Sequence, residues 1–122
     1  MVLTKPAVWV DSSGNPLAIY ANDGGVTAYG IDTSGSKPRL KVVWSSGNGA
    51  TSPVIAGNTL YLERDGEVDA VNPADGHQLW SSTDAGSHGT IGGTHWEYPA
   101  VYGDWLLVTD ENGKLYAYKR TS

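Results

Sequence analysis

Two sets of markers recur along the chain at nearly one period, and that repeat constrains the fold more than any other feature of the sequence. Pro6 in "KPAVW", Pro53 in "SPVIAG" and Pro99 in "YPAVYG" lie 47 and 46 residues apart, each followed by small and β-branched residues. Further along, "DGGVTAY", "DGEVDAV" and "NGKLYAY" place Gly24, Gly66 and Gly113 at separations of 42 and 47, and Ala28, Ala70 and Ala117 keep the same spacing. A fixed period of this size marks a chain built from stacked supersecondary units.

The second unit shows how each divides. "SPVIAG" is a short apolar run, Gly57 and Asn58 make a turn, "TLYLER" is a strand, and Asp65-Gly66 gives a second hairpin turn. "EVDAVNP" is a third strand, "ADGHQ" a third turn and "LWSST" a fourth strand. Asn-Gly and Asp-Gly favour tight hairpins because the central residues of a type I′ turn need positive φ. The sequence therefore predicts all-β, antiparallel four-stranded units of about 40–50 residues, the size of β-propeller blades. The units fall at about 6–46, 51–85 and 95–120, with four, four and three strands, in one repeat domain over 1–122. A β-sandwich also uses short strands and regular turns, but it would not repeat its turn chemistry at a fixed period. The runs "VIAGNTLYL" and "WLLV" are apolar on both strand faces, as blades packed on two sides require. Composition agrees, with 16 Gly, seven Tyr and five Trp, and no window holds a helical period free of breakers.

A formal net charge of −5 without a Lys/Arg run argues against nucleic-acid binding, which needs a basic stripe. The chain has no cysteine and no apolar run of about 18 residues, so disulfides, thiolate sites and a membrane-spanning helix are not expected. "MVLTKPAVWV" does not read as a signal peptide.

At "AVNPADGHQLW" the sequence resembles the quinoprotein-like (PQQ-repeat) β-propellers, whose tryptophan-docking motif sets Ala, Asp, Thr-Gly and Trp at fixed offsets. Here Ala70, Asn72, Asp75-Gly76 and Trp80 occupy those offsets, with Asn for the Asp and Asp for the Thr. The first unit keeps Ala28, Asp32, Gly35 and Trp44 with an insertion before the Trp, and the third keeps Ala117 alone. The resemblance implies a structural docking role for Ala70, Asn72, Gly76, Trp80 and Trp44, and a periplasmic or extracellular location. It also suggests PQQ and calcium. Those cofactors are not predicted, because the adjacent Cys pair is missing and no position carries the calcium ligands; quinone-dependent dehydrogenase activity is not expected.

The final "NGKLYAYKRTS" resembles the close of a larger propeller, of which this chain holds the last two to three blades. In that family pattern the missing outer strand comes from the N-terminal side, and "MVLT" is a short candidate substitute. An open arc exposes an apolar face at each end, and such patches promote association. Two chains joined head to tail give about six blades, within the four to eight of known rings, so the expected partner is a second copy in a homodimer.

The longest irregular stretch, "DAGSHGTIGGTHWEYP", gathers His88, His95, Trp96, Glu97 and Tyr98. Their spacing matches no zinc motif. Trp96 and Tyr98 could stack on a small molecule or carbohydrate with His95 and Glu97 as hydrogen-bonding groups; alternatively the loop is a tight crossing with Trp96 packed between blades. "GTIGG" lacks the Lys and helix of a phosphate loop. Asp65, Glu67, Asp69 and Asp75 read as solvated turn residues. The reading favours a non-catalytic binding or assembly module, with a small molecule, carbohydrate or protein as further partner. The alternatives are a hydrolase or lyase using the His88–Glu97 loop at a subunit interface, and an excised or engineered fragment with no activity of its own.

Overall fold

A computed structural model describes residues 4–84 and 91–120. Its strands are β1 (Ala7–Val10), β2 (Pro16–Asn22), β3 (Gly25–Asp32) and β4 (Arg39–Ser46); β5 (Val54–Ala56), β6 (Thr59–Arg64), β7 (Glu67–Val71) and β8 (Gln78–Ser81); and β9 (Ala100–Tyr102), β10 (Trp105–Thr109) and β11 (Leu115–Lys119). They form three separate antiparallel meanders of four, four and three strands, the blade count read from the repeat. Among the described residues, nothing pairs with the outer edge of β11.

The hairpin turns form where glycine permits a left-handed backbone: Gly57, Gly66 and Gly113 have φ of 61°, 84° and 77°. The first unit departs from this pattern. Gly24 is not left-handed, and its turn is instead held by the Asn22 carboxamide, whose Oδ1 accepts from the N–H groups of Gly24 at 2.8 Å and Gly25 at 3.1 Å.

Strand register assigns every side chain to one of two sheet faces, because successive residues alternate. In blade 1, Leu17, Ile19, Ala21, Val26 and Ala28 are buried on the face toward blade 2, where they pack with Leu60, Leu62 and Val71. In blade 2, Val68 lies on the opposite face with half-buried Tyr61 and Trp80, packed on Leu106, Val108 and Tyr118 of blade 3. The core is therefore two seams between sheets rather than a centre within any one of them. Blade 2 uses one face for the blade before it and the other for the blade after it, which explains why β6 carries apolar residues on both sides.

The link from β4 to β5 is fastened across the first seam. Ala50 N–H donates to the Asn22 carbonyl at 3.1 Å and Thr51 N–H to the Glu63 carbonyl at 2.9 Å. Gly49 passes so close to blade 1 that an added Cβ would lie 2.3 Å from the Asp23 carbonyl oxygen. Residues 1–3 of the proposed substitute strand lie outside the described residues. Thr4 is placed at the first seam, its hydroxyl donating to the Ala21 carbonyl.

Candidate functional site

Three regions concern function: the tryptophan contact between blades 1 and 2, the loop before β9, and the two outward sheet faces.

The Trp44 indole crosses from β4 to the β7–β8 turn. Its Nε1–H donates to the Pro73 carbonyl at 2.8 Å, and its ring lies over Gly76, where an added Cβ would come within 2.7 Å of the ring carbon Cε3. That turn is shaped by Asn72, whose carbonyl accepts from Gly76 N–H at 2.8 Å and whose Oδ1 accepts from Ala74 N–H at 2.9 Å. Gly76 takes φ of 79°, so it supplies both the turn and the flat surface beneath the indole. Ala70 pairs with Trp80 across β7 and β8, and Trp80 meets Tyr118 of blade 3 edge to face, with ring centroids 5.3 Å apart. Opposite each of these outer-strand tryptophans the ladder shifts register, between Ala28 and Tyr29 in β3 and between Ala70 and Val71 in β7.

Of the loop candidates, His88 lies outside the described residues. His95 Nδ1 sits 3.1 Å from Glu111 Oε1, and the His95 and Trp96 rings are 4.4 Å apart. Glu97 Oε2 accepts from His95 N–H at 2.6 Å and from Trp96 N–H at 3.0 Å, so this carboxylate shapes its own turn. Trp96 is 65% exposed, which corrects the expectation that it packs between blades; Tyr98 is also exposed. The rest of the loop is tied to both neighbouring hairpins: Thr94 N–H donates to Asp65 Oδ1 at 2.8 Å, and Gly92 N–H to Asp110 Oδ2 at 3.0 Å. Burial alone would raise the Asp110 carboxyl. Hydrogen bonds from the Tyr116 hydroxyl and from the N–H groups of Lys114, Gly92 and Asn112 outweigh that and hold it below the ordinary carboxylate value. The same bond pushes the Tyr116 phenol up.

Asp69 is not a solvated turn residue. It is 2% exposed in mid-strand and pairs with Arg64 Nε at 2.9 Å. Among the described residues, no group of three or more His, Asp or Glu side chains is placed to hold a metal ion.

The outward faces are the largest apolar surfaces. On blade 1, Val8, Val10, Tyr20, Ile31, Leu40 and Val42 are all exposed, and register places them on the side away from blade 2. On blade 3, Tyr102 at 79% exposure, Trp105 and Leu115 lie on the side away from blade 2. Lys119 Nζ lies 5.7 Å from the Trp105 ring centroid. Sequence reading anticipated apolar ends but could not assign their residues without the strand register.

The family profile described as outer membrane protein assembly factor BamB matches residues 8–122. Thirteen solved chains also match. Among them, BamB from Moraxella catarrhalis is 14% identical with a TM-score of 0.55, covering 98% of this chain and 34% of that one. The computationally designed Ika4 protein is 9% identical with a TM-score of 0.46, covering 98% of this chain and 91% of that one. The chain thus spans about a third of the BamB structure's length. No curated protein sequence matches it significantly.

Proposed function

Because the chain belongs to the PQQ-repeat propeller family of the outer membrane protein assembly factor BamB, we propose that it is a non-catalytic, protein-binding propeller module whose two open ends close head to tail against a second copy. The observation that carries this reading is that both end sheets present apolar outward faces and that these faces are of opposite kinds. By register, Leu107, Thr109, Leu115 and Ala117 of blade 3 occupy the stations that Tyr61, Glu63, Val68 and Ala70 of blade 2 use toward blade 3. Blade 1 offers outward the stations that blade 2 uses toward blade 1. The two ends thus correspond by station to the faces through which successive blades pack, which supports a head-to-tail joint, and two chains would make six blades.

The family name points to a partner that is itself a protein, and to the periplasm or outer membrane as the proposed location. The hydrolase or lyase alternative draws on His95 and Glu97. Glu97 is committed to two backbone N–H groups and His95 to Glu111, so the loop geometry favours the structural role.

Mass in solution by light scattering tests the closure. The expected value is twice the 12.9 kDa chain mass. Val42→Asp and Leu115→Asp, on opposite ends, should each give folded monomers. An equimolar mixture of the two should recover a dimer, since one of its two interfaces then joins two unaltered faces. A wild-type monomer, or a mixture that stays monomeric, overturns head-to-tail closure.

A further inference from the structure

β11 holds the position that β3 and β7 hold in the other two blades, but with a partner on one side instead of two. β3 lies between β2 and β4, and β7 between β6 and β8, whereas β11 pairs with β10 alone among the described residues. Ala28 and Ala70 mark one station on β3 and β7, and the residue opposite each on the outer strand is a tryptophan, Trp44 or Trp80. Ala117 holds that station on β11, across from Leu107 as Ala28 is from Ile19 and Ala70 from Tyr61. Ala28 and Ala70 are buried; Ala117 is exposed. Such an edge offers a row of N–H and C=O groups to an added strand.

What covers this edge in the complete blades shows what fits it here. Both outer strands read apolar-Trp-Ser, "VWS" in β4 and "LWS" in β8. Beyond the tryptophan station, the blade 1 ladder sets Gly30 against Lys41 and Asp32 against Arg39, an acidic inner end under a basic outer strand. β11 reverses that sign, with Lys119 and Arg120 following Ala117. By the β4 register, Lys119 would face the residue three before the tryptophan. Both cations are exposed and neither is ion-paired with a described residue; Lys119 lies against the Trp105 ring.

A second copy of this chain does not meet these requirements. Its two apolar-Trp-Ser strands are already paired with β3 and β7, and β4 carries Arg39 and Lys41. Pairing β11 with its own copy about Ala117 would set Lys114 against Arg120, and like charges opposite one another destabilise a ladder. The residues before β1 are engaged at the first seam, where Thr4 donates to the Ala21 carbonyl and Lys5 N–H to the Ser52 hydroxyl at 2.9 Å.

We propose that the free edge of β11 takes up an extended segment of another protein, an apolar-Trp-Ser sequence preceded by acidic residues, antiparallel to β11 with its tryptophan opposite Ala117. Backbone bonds along the edge supply affinity, the indole over Ala117 fixes the register, and Lys119 and Arg120 select the acidic residues. This names the class of partner for the protein-binding reading above and rests on that reading. It does not rest on head-to-tail closure, since the edge of a sheet is a different surface from its face; mass in solution tests the one and peptide binding the other.

The test follows the amide NMR spectrum of the intact chain with three capped peptides of residues 39–46. One carries Arg39→Glu and Lys41→Glu, the second adds Trp44→Ala to these, and the third is unaltered. The first should give saturable shifts centred on residues 115–119 and Hα–Hα contacts between peptide and β11. The other two should each bind about tenfold or more weakly. Lys119→Glu, at an exposed position, should shift preference toward the unaltered peptide. Absence of saturable shifts with the first peptide, shifts centred on the outward face of blade 1, or equal binding by the unaltered peptide overturns the proposal. Concentration-dependent protection of the β11 amides in the free chain would make a second copy the occupant, and overturns it equally.

Discussion

Changing Glu63 to glutamine converts a buried acid into a neutral side chain of the same shape, and the consequence can be worked from the structure. The Glu63 carboxyl is pushed to about 8 when folded, against an ordinary 4.5. An acid whose folded pKa is raised contributes its full share of stability below its unfolded pKa. It loses that share as the pH climbs toward the folded value, because only the unfolded chain can release the proton cheaply. At about 1.4 kcal/mol per pH unit, the loss is about 3 kcal/mol by pH 7 and about 4 kcal/mol by pH 8. Glutamine has no proton to lose, so its profile should lack this term. Urea unfolding of both proteins at pH 5 and pH 8, at one protein concentration, measures the difference. The advantage of Glu63→Gln over wild type should grow by about 3–4 kcal/mol between those pH values. Asp11, Asp32 and Asp110 all have lowered values, so their contributions fade only in acid, below this window. Parallel profiles for the two proteins would refute the account of Glu63 as a buried neutral acid.

Two further perturbations probe the seam between blades 1 and 2. Trp44→Ala should cost about 3 kcal/mol in urea unfolding, and Trp44→Phe, which keeps a ring over Gly76 but loses the bond to Pro73, about 1–2 kcal/mol. Gly76→Ala should cost about 1–2 kcal/mol for the left-handed backbone alone, plus the clash of its Cβ with the indole. That clash term should vanish in the Trp44→Ala background, so additive losses in the double mutant would refute the stacking.

The architecture was legible because its turns use residues with few substitutes. Gly66 and Gly113 sit where φ is positive, and their recurrence with Gly24, whose turn is held by Asn22 instead, carried the blade count. Trp44 and Trp80 could be placed on outer strands from the docking motif, but the partner of Trp44 could not: Pro73 and Gly76 lie 29 and 32 residues away, and only folding brings them together. The acidic residues were hardest to read. Asp65, Asp69 and Glu67 look alike in the string "ERDGEVDA", yet one caps a loop, one pairs with Arg64 in the interior and one binds a serine hydroxyl. Burial is set by the register of β6 against β7 and by a neighbouring blade far along the chain. A signal for Glu63 did exist: aligning the units puts Ala21, Glu63 and Thr109 at one station, and a carboxylate in that company is out of place.

If the two end faces join as proposed, the arc has a direction, and a directional unit with complementary ends is a monomer in the polymer chemist's sense. Each joint can either be followed by another in line or bend back to meet the first, and the angle between adjacent blades decides which. When the accumulated angle comes full circle, the last joint forms within one assembly, at an effective concentration that no free chain can match. If that angle is a few degrees off, the same contacts propagate into an open helical fibre. Small residues at the first seam, Ala21, Ala28 and Ala50, bear on that angle, because the bulk held between two sheets governs how closely and at what tilt they pack.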